Sequence, residues 1–462
     1  MLAALALALA LSSAARSTAG VTGRVGVENG ILVGVVRDAV VSYKGIPYAA
    51  AAVGSRRWRA PELPARWDDV RVAGDYGPSC PQAAQPRRVP AASRAESTSE
   101  DCLTLNVWAP VAPSASLPVG EWPLPVMVWL HGGGNVNGTG SQTFYDGTAF
   151  ARDGVVLVTL NYRIGILGFF AHPALAGKQG DCQTGNFGLL DQIAALRWVQ
   201  RNIAAFGGDA SNVTLFGESA GAEDALILAS SDAAKGLFNK VIAESAGGLW
   251  DRQPTLTQAQ TQGAKLATAL GLPGDSATAA QLRSLPSDRL AAVSDDDQIG
   301  PMVDGCIVQA PPSVSLAHGV HVPLIIGTNG DEDPGYFTAP ARWVAARTAS
   351  AGARVYLYRF DYVWSILAAR RPGATHGSEV PFVFDNYDSE LFDEGDRKIA
   401  AALHGCWIAF ARTGTPACPG VADWPAYDPL DRRVVVFTTP PAVRDPGDSD
   451  ALDLLERKLF PH

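Results

Sequence analysis

Gly217-Glu218-Ser219-Ala220-Gly221 sets a serine between the apolar run Val213-Thr214-Leu215-Phe216 and an Ala-rich stretch at 222–230. Strand, sharp turn and helix are the elements expected there. Such a turn holds its central side chain in a strained backbone conformation, and small flanking residues let strand and helix pack closely. Ser219 would then stand at a helix N-terminus, where amides and the positive end of the dipole favour developing negative charge. A serine hydroxyl is a weak nucleophile near neutral pH, so it needs a general base, and the base needs an orienting carboxylate. Of the seven histidines, His376 lies in the loop Arg371-Pro372-Gly373-Ala374-Thr375-His376-Gly377, downstream of an expected strand. The acid is expected after the strand before that one, in Gly327-Thr328-Asn329-Gly330-Asp331-Glu332. Asp331 and Glu332 both qualify by chemistry.

Attack on a carbonyl creates an oxyanion that needs donors already in place. His131-Gly132-Gly133-Gly134 follows an apolar run, and consecutive glycines let bare N–H groups approach a substrate. The amide of Ala220, one residue past the nucleophile, is the natural additional donor. No Lys-Ser/Thr pair follows the glycines, so this is not a phosphate-binding P-loop.

These residues require strand ends to carry them. Apolar runs of strand length recur at 125–130, 155–160, 213–216, 241–243, 322–327, 355–360 and 434–437, with helical stretches between. They do not alternate cleanly with polar residues, which predicts an α/β fold with a mostly parallel central sheet covered by helices on both faces. The clearest helix is 189–206, where Leu189, Ile193, Leu196, Val199, Ile203 and Phe206 keep the helical period and Gly207-Gly208 ends it. It predicts a right-handed crossover, with the site at the C-terminal ends of the strands. The order serine, acid, histidine is that of an α/β-hydrolase. Residues 20–67 are turn-rich and antiparallel in character.

The 462 residues include 37 basic and 46 acidic side chains, a net charge of −9, with no basic stripe, which argues against nucleic acid as a partner. With 47 glycines, 32 prolines and 47% hydrophobic residues, the chain reads as a loop-rich globular enzyme. The apolar run 2–11 and the small residues Ser17-Thr18-Ala19 predict a secretory signal peptide over 1–19, too short to span a membrane, although no Lys or Arg precedes it. A single hydrolase domain over 20–462 and a secreted or periplasmic location follow. Cys80 and Cys102 bracket a polar loop with little apolar content to hold it down and are expected to pair. Cys182, Cys306, Cys406 and Cys418 read equally well as small buried thiols, and none of the spacings suits zinc, so no metal is expected. Asp295-Asp296-Asp297 lacks the alternating spacing of a calcium loop and reads as a solvated turn.

With four chemical elements in order, the chain closely resembles the type B carboxylesterase family, which includes the cholinesterases. The matching stretches are Tyr43-Lys44-Gly45-Ile46-Pro47-Tyr48-Ala49, Ser99-Glu100-Asp101-Cys102-Leu103-Thr104-Leu105-Asn106, His131-Gly132-Gly133-Gly134, Asn161-Tyr162-Arg163-Ile164-Gly165, Gly185-Asn186-Phe187-Gly188-Leu189-Leu190-Asp191-Gln192, the Ser219 pentapeptide and His376-Gly377-Ser378-Glu379-Val380-Pro381-Phe382. The resemblance implies hydrolysis of small-molecule carboxylic esters through an acyl-enzyme, with no cofactor. It implies Ser219 as nucleophile, His376 as base and Glu332 as acid. It also implies Gly133, Gly134 and Ala220 as oxyanion donors, a Cys80–Cys102 disulfide, and a supporting hydroxyl at Ser245. Amide, carbamate or lactone hydrolysis uses the same chemistry, and the fold also has catalytically silent relatives that bind partners.

The chain departs from the family in one place. Only 44 residues separate Glu332 from His376, fewer than the family carries, and Asp333-Pro334 replaces the expected small residue. A deletion near residue 335 is expected, leaving one helix at 341–351 and one strand at 355–360, enough for a parallel crossover of about a dozen residues or more. The expected consequence is a shallower, wetter acyl or alcohol site. The loop between Cys80 and Cys102 carries no aromatic residue, so specialisation for choline esters is not expected.

Overall fold

The computed structural model describes residues 23–83, 97–111, 123–176, 185–248, 253–293, 299–386 and 392–460, save 419, 422 and 432. The leader at 1–19, Cys182 and Asp295-Asp296-Asp297 therefore lie outside the described residues. A small sheet comprises β1 (Arg24–Val27), β2 (Gly30–Val33) and β5 (Val70–Val72). The main sheet comprises β3 (Val35–Arg37), β4 (Val40–Pro47), β6 (Thr104–Pro110), β7 (Leu124–Leu130), β8 (Val156–Leu160), β9 (Gly208–Glu218), β10 (Lys240–Glu244), β11 (Leu324–Asn329), β12 (Val355–Phe360), β13 (Val434–Phe437) and β14 (Ala442–Arg444). Its order is β14-β13-β12-β11-β10-β9-β7-β8-β6-β4-β3.

From β8 through β7 to β13 every pairing is parallel, and the outer strands β14, β6, β4 and β3 join antiparallel. The expected parallel centre is present, with antiparallel margins where the early segment was read as antiparallel. Strand burial explains why the apolar runs did not alternate with polar residues. Val126, Val128 and Leu130 of β7 face one core, whereas Met127 and Trp129 face the other. Leu324 and Ile326 of β11 likewise oppose Ile325, and Val241 and Ala243 of β10 oppose Ile242. Side chains alternate between two apolar layers, and each fully buried Val, Leu or Ile contributes about 1.5–3 kcal/mol of transfer free energy.

The helix expected over 189–206 is observed as Phe187–Asn202, followed by a tighter turn at Ile203–Phe206 that Gly207 ends with φ 84°. The helix expected over 341–351 is Ala339–Ser350, and β12 has the expected bounds, so the shortened stretch does close the sheet. Helix Glu394–Thr413 covers the second core, with a capping box at Asp393 and Asp396 and a left-handed Gly414.

Cys80 and Cys102 are bonded, with Cα atoms 5.0 Å apart. Cys406 and Cys418 are bonded too, and Cys306 is disulfide-bonded, which decides for these three between the two readings the sequence left open. The Cys406–Cys418 pairing has a simple cause. Cys418 lies beyond the end of helix Glu394–Thr413, and only the chain reversal at Gly414 brings it back to Cys406 on that helix. Among the described residues no helix is long and apolar enough to cross a membrane, and no group of three or more His, Cys, Asp or Glu could hold a metal.

Candidate active site

Ser219 follows the last residue of β9 with φ 55° and ψ −128°, a conformation costly for any residue with a β-carbon. Its neighbours make that turn possible. A β-carbon on Gly217 would lie 2.6 Å from the Gly221 carbonyl carbon, and one on Gly221 would lie 2.1 Å from the Leu130 oxygen. Strand β7, strand β9 and helix Ala220–Ala229 thus meet at van der Waals contact, and any larger residue would force them apart. The Ser219 amide donates to the Glu244 carbonyl at 2.9 Å, tying the turn to the end of β10.

His376 Nε2 lies 2.9 Å from Ser219 Oγ, and its Nδ1 lies 2.5 Å from Glu332 Oε1. Of the two candidate acids, Glu332 turns inward, with a side chain only 1% exposed, whereas Asp331 faces solvent. The second Glu332 oxygen accepts from the Asn329 amide at 2.8 Å and from Ser245 Oγ at 3.1 Å. These two donors hold the carboxylate in one orientation, which fixes the imidazole in turn. Ser245 therefore supports the Glu332 carboxylate, and the hydroxyl on His376 Nε2 is that of Ser219.

The glycine loop after β7 runs against Ser219: a β-carbon on Gly132 would sit 3.0 Å from Ser219 Cβ. Gly133 and Gly134 follow with φ 111° and 63°, and the amides of Val136 and Asn137 both bond back to the Gly133 carbonyl. His131 is buried, and burial pushes its imidazole down to about 4, so it is neutral. It stacks on Tyr162 at 4.3 Å, and Tyr162 Oη donates to the His131 carbonyl at 2.6 Å. Asn135 Nδ2 donates to Asp224 Oδ1 at 3.1 Å, and Gln192 Nε2 donates to Asp224 Oδ2 at 2.5 Å. This buried network ties the glycine loop to the helix that begins at Ala220. Sequence reasoning assigned no role to Asn135 or Asp224, because their partners come from separate segments.

Three carboxyl groups act on the His376 imidazole, Glu332, Glu218 and Glu379, and Glu244 interacts in turn with Glu379 and Glu218. Glu218 Oε1 lies 3.2 Å from His376 Nε2. Burial pushes Glu218 up to about 7, opposed by His376 and aided by Glu332. Burial likewise pushes Glu379 up to about 8, with Glu218 and Glu332 adding to it. Glu244 is held well above the carboxylate range by burial and by Glu379, while Trp407 Nε1 donates to it at 2.7 Å. Burial disfavours the His376 imidazolium, but the Glu332 hydrogen bond and the surrounding carboxylates outweigh it and raise the group to about 9. Asn329 Nδ2 bonds the Thr375 carbonyl at 2.8 Å and also Glu379, which pins the loop carrying His376 to the end of β11. In the sequence Glu379 is a lone charge beside the apolar Val380-Pro381-Phe382, within the stretch that resembles the family.

A cavity of about 330 Å³ opens beside the imidazole, lined by Phe144, Tyr145, Trp364, Leu367, Glu218 and Val380 among others. It is apolar with a few polar groups, and its volume suits a small organic molecule. The His376 side chain keeps 40% of its surface exposed, so the imidazole is open to water on one side.

The carboxylesterase family model matches residues 21–335 and 333–454, and its break falls where the missing segment was expected. Fumonisin B1 esterase of Sphingopyxis macrogoltabida is 34% identical, over 89% of this chain and 85% of that protein. Para-nitrobenzyl esterase of Bacillus subtilis (strain 168) is 34% identical, over 93% of this chain and 96% of the other. A solved PNB esterase structure superposes with a TM-score of 0.82 at 32% identity, covering 95% of this chain and 99% of its own. The chain belongs to the carboxylesterase family and is a carboxylic ester hydrolase of the α/β-hydrolase fold.

Proposed function

We propose that Ser219, His376 and Glu332 carry out ester hydrolysis through an acyl-enzyme, with the amides of Gly133, Gly134 and Ala220 holding the oxyanion. The observation that carries this reading is the continuous contact from Glu332 Oε1 through both His376 nitrogens to Ser219 Oγ. Nδ1–H donates to Glu332, which leaves Nε2 to accept the serine proton. Ser219 Oγ bonds to the carbonyl carbon, and its proton passes to Nε2. The C–O bond to the alcohol then breaks as Nε2–H protonates the departing oxygen. A water molecule repeats the sequence on the acyl-enzyme, releasing the acid and restoring Ser219.

The test is a panel of p-nitrophenyl esters together with labelling by a fluorophosphonate. Wild type is expected to show turnover and covalent labelling at Ser219, and Ser219→Ala is expected to lose both. Unchanged turnover in that variant would place the nucleophile elsewhere, and no turnover in wild type would favour a silent binding protein.

We also propose a removable leader over residues 1–19, ahead of one hydrolase unit, and hence export. The disulfides at Cys80–Cys102 and Cys406–Cys418 support this, since such bonds persist in oxidising compartments. Fractionation of the expressing cell and N-terminal sequencing are expected to give an exported chain beginning at Gly20. A cytosolic chain retaining Met1 would overturn it.

A further inference from the structure

Glu244, the last residue of β10, has no part in the reaction as written above, yet its backbone touches both ends of the triad. Its carbonyl accepts from the Ser219 amide, and the next residue, Ser245, donates its hydroxyl to Glu332. One dipeptide therefore holds the turn of Ser219 and the carboxylate that orients His376. Alternation along β10 puts Val241 and Ala243 in one core and Ile242 in the other, so the Glu244 side chain stands with Ile242 in the second core, where an apolar residue is expected. It is fully buried.

A carboxyl in such a place is costly unless its charge is paired or its atoms are hydrogen-bonded. Trp407 supplies one bond, Nε1 donating to Glu244 Oε1 at 2.7 Å. The indole is itself fixed by helix Glu394–Thr413, by the Cys406–Cys418 bond beside it, and by Tyr358 and Phe437, whose rings lie 5.3 and 6.3 Å away. The other oxygen, Oε2, has no partner among the described residues. The ionisable groups that face Glu244 among those residues are Glu218, Glu379, Tyr145 and Tyr358, and none of them is a cation.

Register adds a second constraint. β9 and β10 are parallel, with Glu244 opposite Glu218, so the two carboxyl side chains leave the same face of adjacent strands, about 5 Å apart at the backbone. Two buried carboxyls that close do not both ionise. Glu218 has His376 Nε2 at 3.2 Å to balance a charge, whereas Glu244 has only a neutral indole. We propose that Glu244 is a positioning residue that works as an uncharged carboxylic acid: pinned by Trp407, it fixes the end of β10 beneath Ser219 and Glu332 and leaves the negative charge on Glu218. Burial and Glu379, which hold its proton well above the carboxylate range, act in the same direction. The role rests on the triad reading above.

The experiment records pH profiles of p-nitrophenyl acetate hydrolysis for wild type, Glu244→Gln, Glu244→Leu, Trp407→Phe and the double variant Glu244→Leu with Trp407→Phe. Fluorophosphonate titration normalises each to its folded, reactive fraction. Glu244→Leu and Trp407→Phe are each expected to lower kcat by roughly tenfold at unchanged KM, and the double variant to lose no more than either, since both changes break one bond. Glu244→Gln, a neutral isostere that still accepts from the indole, is expected to rescue the kcat that Glu244→Leu loses and to leave the acid limb of kcat/KM in place. A limb that moves to lower pH in Glu244→Gln would reveal a charged Glu244 and overturn the proposal. Full kcat in Glu244→Leu, or additive losses in the double variant, would overturn it too. Wild type without turnover would sink the triad reading and this role with it.

Discussion

Glu332 and His376 stand 44 residues apart in the chain and 2.5 Å apart in space. The short path works because β11 and β12 are parallel neighbours, paired from Leu324–Val355 to Asn329–Phe360, so their C-terminal ends deliver Glu332 and His376 to one edge. Glu332→Gln should keep the fold yet lose on the order of 10⁴-fold in kcat, because the neutral amide no longer fixes the imidazole tautomer. Ser245→Ala removes one donor to that carboxylate and should cost roughly tenfold. Steady-state ester hydrolysis checks both, and equal effects would deny Glu332 its distinct role.

The base works only as neutral imidazole, so kcat/KM should rise with pH through the ionisation of His376, which lies at about 9. Glu218→Gln removes a carboxylate 3.2 Å from Nε2, leaving the imidazolium less stabilised. Its pKa should fall, and the acid limb of the profile should move to lower pH by about one unit. A limb that moves upward would contradict the electrostatic role given to Glu218.

Asp224→Ala should weaken the protein and the glycine loop after His131 together. Burial pushes this carboxyl up to about 7 against its hydrogen bonds from Gln192 and Asn135, so the variant strands two buried donors. A loss of about 2 kcal/mol or more is expected in urea unfolding, with lowered kcat at little change in KM. Lowered stability with unchanged kcat would separate the network from the loop.

Replacing both Cys80 and Cys102 by Ala reopens a loop with a sequence separation of 22. The chain-entropy argument gives about 3 kcal/mol of lost stability, read as a lower denaturation midpoint at unchanged slope. Ester turnover should persist in the folded fraction, since neither cysteine touches the triad.

The buried pair of Arg163 and Asp191 is bidentate, with both contacts at 2.7 Å, and Asp191 is fully buried. Asp191→Asn should cost about 3–5 kcal/mol by leaving the guanidinium uncompensated. Normal stability in that variant would show the pair to be dispensable.

Much of the site was legible because its signals are local. The glycines around Ser219, the glycines after His131 and the loop before His376 each announce a backbone requirement within a few residues. The sheet was legible for the same reason, since buried strands read as apolar runs. The antiparallel β6 was not, because polar Asn106 interrupts a run whose burial depends on neighbouring strands.

Taken alone, the amino-acid order determined the sharp turn at Ser219, the loop carrying His376 and the glycine loop after His131, since each is a constraint on neighbouring residues, and resemblance to the family marked the shortened stretch after Glu332. Setting Glu332 and not Asp331 against His376, pairing Cys406 with Cys418, and gathering Glu218 and Glu379 around His376 were decided in three dimensions. The physical reason is distance: burial, charge coupling and ring contact act over a few ångströms between residues whose separation in sequence carries no trace of it.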